Sequence, residues 1–441
     1  MTKSIKALFD VKRGELAPTL LMSAYFFLVI TSFWILKPIK KSLFLRFYQA
    51  APFELLGMTF QGARAEQLAK LLNMLVAVVA ATLFIQLSAR FRRERLIYAF
   101  SALMLGAFVW FARAIAAPDE LTVWGFYLFG DLFNMLMVAS FFAFQNDIAS
   151  PDLARRTYGV VVLGGVLGGV FGSTFLRVHI RDFATSSWVW LCFFATLAMV
   201  VIAGLVARLR REMPEKPAED VSPVLSRFDT QAGIAGARVV SRSPYLLSIV
   251  ALVAIYEVVS SVLDFQFSAT TTHFLSGKAI DQHLATVFMI TNWASLAIQV
   301  LATSWVMRTL GVGAALSVLP LMVLAVSGGF VLLPGLWVGS FLSIVDNALN
   351  YSMNQSARES LYVPTSPREK YQAKAFIDVF VQRSAKAVGL VLILGLDGMV
   401  SDNFVFIRLL SVLVLILGAV WLWHARSAGS RFDAMSEAPA E

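Results

Sequence analysis

Between Ser343 and Gly389 two runs of groups that hydrocarbon rejects recur at helical spacing. Asp346, Asn350, Asn354 and Arg358 follow every four residues; after a short basic loop, Lys374, Asp378, Gln382 and Lys386 do the same. That spacing puts each set on one face of a helix. A charge at the middle of a bilayer costs at least ~2.5–3.5 kcal/mol on insertion scales, so such groups face a watery cavity or pair tightly. The chemistry they offer is anion recognition by Arg and Lys, ion pairing, and proton binding by carboxylates. Lys374 and Asp378 alone also fit an ordinary i,i+4 pair at a helix mouth. Two full stripes are more than that reading covers.

Other candidates lie outside this stretch. Lys37, Lys40 and Lys41, in WILKPIKKSLF, share a helix face at i, i+3, i+4. Two readings stay open for them: snorkelling to headgroups, or a cationic mouth for an anionic substrate, with Pro38 bending the helix toward a cavity. Glu257 and Asp264, seven apart, share another face. They can serve as a structural ion pair with Lys386 or Lys37 in one state, or as proton carriers if burial raises their pKa; Asp378 is a third coupling candidate. Asp131 with Asn134, and Asn292 with Gln299, fit interhelical hydrogen bonding. There is no GxxxxGK[ST] motif, hence no P-loop ATP hydrolysis. One cysteine, Cys192, and four scattered histidines give neither an intrachain disulfide nor a metal-ligand set. No nucleophile–base constellation is visible, so the expectation is a non-enzyme with no cofactor.

These residues need membrane-spanning helices to position them. At 58% hydrophobic and 15% charged over 441 residues, the chain is not a soluble globular protein. At about 20 apolar residues per span, twelve segments emerge: 16–36, 68–88, 95–117, 121–144, 156–178, 185–207, 244–268, 282–306, 312–333, 335–357, 374–396 and 403–424. The first is too long for a secretory signal and lacks a small-residue cleavage site. The basic loops Ala89–Arg95, Gln145–Arg155, Met307–Gly313 and Glu359–Ala373, with Lys3, Lys6, Lys12 and Arg13, place both termini on the cytoplasmic side. Acidic Pro118–Glu120 and Asp397–Asn403 fall outside. Arg177–Asp182 and Lys37–Arg46, read as outside loops, break the trend. The net charge of +9 thus reports membrane orientation and not nucleic acid. Residues 208–243, with Pro214, Pro217 and Pro223, read as a flexible cytoplasmic linker containing one amphipathic stretch; its Arg208, Arg210 and Arg211 read as a membrane-surface anchor.

The expected fold is therefore an all-α polytopic membrane protein in an inner or cytoplasmic membrane. It has twelve transmembrane helices in two six-helix halves, 1–207 and 244–424, followed by a cytoplasmic tail, 425–441. Corresponding loops (Ser88–Tyr98 with Ser304–Ala314, Ser150–Tyr158 with Ser366–Lys374) suggest parallel repeats, a major-facilitator-like layout with substrate at mid-membrane. The glycines of VVVLGGVLGGVFGS, among them Gly164, Gly168 and Gly172, form a helix-packing face, which a rocking carrier can also use as a sliding contact between halves.

The stretch ALNYSMNQSARESLYVPTSPREKYQAKAFIDV, followed by SAKAVG, resembles the ATP/ADP translocases (nucleotide transporters) of plastids and intracellular bacteria. Tyr351–Ser352, Arg358–Glu359, Tyr362, Pro364, Lys374, Ile377–Asp378–Val379 and Ser384–Ala385–Lys386 carry the likeness. Phe141–Ile148 with Ala154–Arg156, and Trp34–Leu43, add to it. The resemblance implies exchange or proton-linked uptake of nucleotides. By position, Lys37 or Lys40 stands for the first-span cation, Lys386 for the eleventh-span lysine, Asp264 for the seventh-span acid and Asp131 for the fourth-span one. This chain departs in having Lys41 where an acid is usual, Ala385 for a glycine and Ala387 for a serine.

The resulting expectation is a secondary-active, alternating-access transporter of a phosphorylated anion, a nucleotide such as ATP or ADP. Lys37, Lys40, Arg358 and Lys386 would neutralise phosphates, and Asp131, Asp264 and Asn350 would complete the substrate site. Tyr351 or Trp34 could stack on a base. The alternatives are a proton-coupled carrier of another solute (a lipid, a drug or a cell-wall fragment) using Glu257 and Asp264, and a non-transporting membrane scaffold. The partners are a small anionic molecule and the lipid bilayer.

Overall fold

A computed structural model describes residues 16–55, 57–91, 93–148, 151–211, 230–397 and 403–437. The N-terminal Lys3, Lys6, Lys12 and Arg13, the linker prolines Pro214, Pro217 and Pro223, and most of the loop expected at Asp397–Asn403 lie outside them. The elements in chain order are α1 (Leu16–Ala50), β1 (Phe53–Leu55), β2 (Met58–Phe60), α2 (Ala63–Arg90), α3 (Arg93–Ala114), α4 (Glu120–Ile148), α5 (Pro151–His179), α6 (Thr185–Arg211), α7 (Thr230–Arg242), α8 (Pro244–Phe274) and α9 (Lys278–Ala297). They continue with π1 (Ile298–Thr303), α10 (Ser304–Thr309), α11 (Gly311–Leu332), α12 (Leu336–Leu349), π2 (Asn350–Asn354), α13 (Gln355–Ser360), α14 (Pro367–Phe376), π3 (Ile377–Val381), α15 (Gln382–Asp397) and α16 (Asn403–Glu437). Among the described residues ten helices are long and apolar enough to cross a bilayer. The expected segments 335–357 and 374–396 are not among those ten; each is built as a short α–π–α succession.

Local signals explain where several helices begin. Ser243 caps α8 by accepting from the Leu246 N–H, with Pro244 in the first turn. Ser366 and Glu369 form a capping box at α14. Asp119 accepts from the Thr122 N–H (2.8 Å) and hydroxyl (2.5 Å) at the start of α4, and these bonds hold its carboxyl below the usual range.

The first helix differs from expectation. Lys37–Arg46 is not a loop: α1 continues through Pro38 to Ala50. Ile39, Leu43, Phe44 and Leu45 carry its buried face onward, and Lys40 and Lys41 are themselves buried. Snorkelling therefore does not describe those two lysines. Beyond α1, β1 and β2 form an antiparallel ribbon that stacks Phe53 on Phe60 at 5.4 Å. Gly57, at φ 76°, takes the left-handed position in its turn.

The chain folds as two compact units. Unit 1 takes Met1–Phe44, Leu72–Ser226 and Leu284–Met289; unit 2 takes Leu45–Leu71, Arg227–His283 and Ile290–Glu441. In unit 1 the glycine face of α5 packs on α1. A Cβ at Gly164, Gly168 or Gly172 would strike the backbone at Ser23, Phe27 or Thr31. The hydroxyls of Ser23 and Thr31 donate to the carbonyls of Val160 (3.0 Å) and Gly168 (3.1 Å). Both helices of this contact belong to one unit. In unit 2, Gly389 of α15 approaches Ser261 and Val258 of α8. The linker's last part, α7, packs on α14, where Gly236 faces the Gln372 carbonyl and Phe376.

The π segments bear directly on the polar stripes. Four residues of an α-helix turn through ~400°, so a four-residue repeat drifts by ~40° per step. The wider i→i+5 turn falls short of a full revolution in four residues and offsets that drift. π2 and π3 lie within the two stripes, which keeps each stripe on one face.

The glycine packing yields a test. Gly168→Leu should destabilise the protein by about 1–3 kcal/mol through overpacking, read as a lower melting temperature in detergent. Gly106→Leu, at a site with nothing within 4 Å of the new Cβ, should leave the melting temperature unchanged.

Candidate functional site

The charged groups gather within each unit. In unit 1, Lys40 of α1 is ion-paired with Asp131 of α4 and donates to the Tyr127 carbonyl (3.2 Å), its Nζ 4.6 Å from the Tyr127 ring centre. Asn73 of α2 donates to Asp131 Oδ2 (2.5 Å). Gly130 makes room for the Lys40 stem, since a Cβ there would lie 2.6 Å from Lys40 Cδ. The lysine is deeply enclosed while the Asp131 side chain is 38% exposed. One turn away, Lys37 Nζ lies 4.7 Å from the Trp34 ring and 5.1 Å from Phe288, cation–π contacts worth about 0.5–2 kcal/mol each.

Unit 2 holds a similar arrangement. Lys70 of α2 is ion-paired with Asp264 of α8 at 2.6 Å and lies 3.6 Å from Glu66, one turn back. Glu66 is fully buried and accepts from the Ser268 hydroxyl (2.7 Å). Again the lysine is enclosed and the aspartate is partly open, at 36%. Gln49 of α1 donates to the carbonyls of Thr272 and Leu275, and Arg46 pairs with Asp281 at 3.1 Å. These bonds join residues 45–71 to α8 and α9.

The first stripe packs on α8. Asp346 Oδ2 accepts from Ser260 (2.7 Å), and Asn354 donates to Asn350 (3.0 Å). Glu257 accepts from Gln382 of the second stripe (2.7 Å). Lys386 is exposed, makes no ion pair among the described residues, and lies within electrostatic reach of Asp346. At the other end of the stripes Lys374 bonds Glu359 (2.6 Å) rather than Asp378. Asp378 stays within electrostatic reach of Lys374, Arg358 and Glu359.

Of the residues singled out from sequence, Lys40 and Asp131 meet each other. Asp264 meets a lysine that sequence reading passed over, and Glu257 meets Gln382. The overlooked residues are Glu66, Lys70, Asn73, Ser260 and Ser268. A signal existed for one pair: Glu66 and Lys70 stand at i,i+4, but the apolar segment was expected to begin at 68 and left Glu66 outside it.

The fold is that of an all-α, multi-pass membrane protein with ion pairs buried among its helices. The chain matches a mutant of the nucleoside transporter NupG with TM-score 0.61 at 11% identity, covering 95% of this chain and 99% of that one. It matches a POT family transporter, solved with a thioalcohol-conjugated peptide, with TM-score 0.61 at 11% identity over 92% and 96%. The likeness establishes the fold: an all-α, polytopic, major-facilitator-like membrane protein. In sequence, residues 326–432 match the family described as TLC ATP/ADP transporter. The chain is 22% identical to ADP,ATP carrier protein 1 of Chlamydia pneumoniae over 360 residues, 73% of this chain and 70% of that protein. It is 20% identical to ADP,ATP carrier protein 2 of the same organism over 422 residues, 78% of each. The matched stretch contains both polar stripes.

The Lys70–Asp264 geometry gives a prediction. Lys70→Gln and Asp264→Asn should each lower the melting temperature, because each leaves a partner charge uncompensated. The double variant should lose less than the sum, with a coupling of about 0.5–3 kcal/mol in a double-mutant cycle. Strict additivity would mean that the bond carries no stability.

Proposed function

We propose that this chain is a secondary-active carrier of nucleotides that exchanges or takes up ATP and ADP by alternating access. The observation that carries the reading is Lys386: an exposed cation with no ion pair among the described residues, inside the stretch that matches the ATP/ADP transporter family. A lone ammonium in a membrane segment is expensive, and a phosphate is the counter-charge that suits it. Arg358 is the second phosphate contact, suited to bidentate binding, and Asn350 is a polar contact on the same stripe. Lys40 and Lys70 are held by Asp131 and Asp264 and become available to phosphate when those carboxylates let go. Lys37, on its aromatic rings, adds positive charge and sits beside Trp34, a stacking surface for a base. The proposal includes two six-helix halves, 1–207 and 244–424, joined by the linker 208–243, in a cytoplasmic membrane with both termini and the tail 425–441 on the cytoplasmic side. The distribution of basic loops supports that orientation.

Counterflow in proteoliposomes tests it. Vesicles preloaded with unlabelled ATP or ADP should take up labelled nucleotide saturably. Losing one charge-assisted phosphate contact, worth about 1.5–3 kcal/mol, Lys386→Gln should exchange at roughly a tenth to a hundredth of the rate at subsaturating nucleotide while still folding. Undiminished exchange in Lys386→Gln, or none by correctly folded wild-type protein, would refute the reading.

A further inference from the structure

Asp346 lies in α12 at 3% exposure. Its Oδ2 accepts from Ser260, but Oδ1 is enclosed and has no hydrogen-bond partner among the described residues. The surroundings of this oxygen are identifiable. α8, packed on α12, brings Glu257 and Asp264 within electrostatic reach, and α15 brings Lys386. Buried Tyr256 of α8 lies within electrostatic reach of Asp346, Ser260 and Tyr351 of π2. α11, also packed on α12, carries no titratable residue. His283 of α9 meets α12 at Ser340 (2.7 Å), not at Asp346. Asp264 is bonded to Lys70 and Glu257 to Gln382. Among the described residues, the charged groups around Asp346 are thus two carboxylates already engaged elsewhere and one ammonium that is not.

An ionised carboxylate in this position would keep one buried oxygen without a hydrogen bond from the protein, beside two like charges. That state is costly unless a proton or a cation reaches it. We propose that Asp346 binds one proton and that Lys386 trades between this carboxylate and the phosphate of the carried anion. With Asp346 protonated, Lys386 is left to the substrate, and its exposed position without an ion pair is the observed one. When the anion leaves, Lys386 turns to Asp346, the carboxyl O–H bond breaks and the proton passes to water; the ammonium then balances the carboxylate charge. The inference rests on the nucleotide-carrier reading and deepens it by assigning a proton site to Asp346, a residue of the first stripe. Linkage is reciprocal. Anion binding favours protonation, and nucleotide affinity is strongest at low pH and falls as pH rises through the Asp346 titration.

The test uses the purified full-length protein in detergent, with two readouts. The first needs no substrate: infrared difference spectra over a pH series, following the C=O stretch of a protonated carboxyl group. The wild type should show a buried-carboxyl band that is absent in Asp346→Asn. Its midpoint should move upward in Ser260→Ala, which loses the bond to the ionised form, and in Lys386→Gln, which loses the favourable charge. Ser260→Ala keeps the carboxyl, so the test stands even if Asp346→Asn fails to fold. The second readout is ATP binding by calorimetry across the same series. Affinity should fall with rising pH in the wild type more steeply than in Asp346→Asn, since titration of ATP itself is common to both. A band that survives in Asp346→Asn, or a midpoint unmoved by Ser260→Ala, overturns the proton site. A band lost in Asp346→Asn, together with the same pH dependence of ATP binding in both proteins, overturns the trade with Lys386. A lost band with no ATP binding by the wild type supports the proton site and makes the nucleotide reading the one that fails.

Discussion

The bilayer's refusal of an unpaired charge organises this molecule. Lys40, Lys70, Asp131, Asp264, Glu66, Glu257 and Asp346 all lie in helices that are apolar by composition. Each engaged cation among them is held by a carboxylate from another helix, with a carbonyl or hydroxyl adding a further bond to the cluster. Such pairs are weak evidence of stability in themselves, because desolvation offsets much of the attraction. Their value is specificity: each lysine has a defined partner, and each partner aspartate remains partly open.

The same packing scheme recurs in both units. α1 meets α4 through Lys40 and Asp131, and α8 meets α12 through Ser260 and Asp346. α5 approaches α1 through glycines where a Cβ would strike backbone, and α15 approaches α8 through Gly389, where a Cβ would press on Ser261 and Val258. Backbone contact of this closeness fixes the helices that carry the polar groups, so the ion pairs rest on a rigid frame.

Much of this was legible in the sequence, for physical reasons that can be named. The polar stripes stood out because charge in an apolar run is conspicuous and a four-residue repeat marks a face. The glycine face of α5 was legible because only close packing explains small residues at that spacing. Other features were not. The extent of α1 was hidden because Lys37, Lys40 and Lys41 look like the end of a span when their burial by other helices is unseen. The bond from Lys70 to Asp264 joins residues distant in sequence, which no local pattern reports. Ser260 and Ser268 look like any serine in a span. π2 and π3 fall within the polar stripes, and residue types alone do not announce an i→i+5 turn.

Lys386, with no ion pair among the described residues, is the cation on which the proposed phosphate contact turns. The most direct measurement is the melting temperature of the purified protein with adenosine, AMP, ADP and ATP in turn. Stabilisation should grow with the number of phosphates, be negligible for adenosine, and collapse in Lys386→Gln. Equal stabilisation by adenosine and ATP, or a full ATP effect in Lys386→Gln, would contradict that contact.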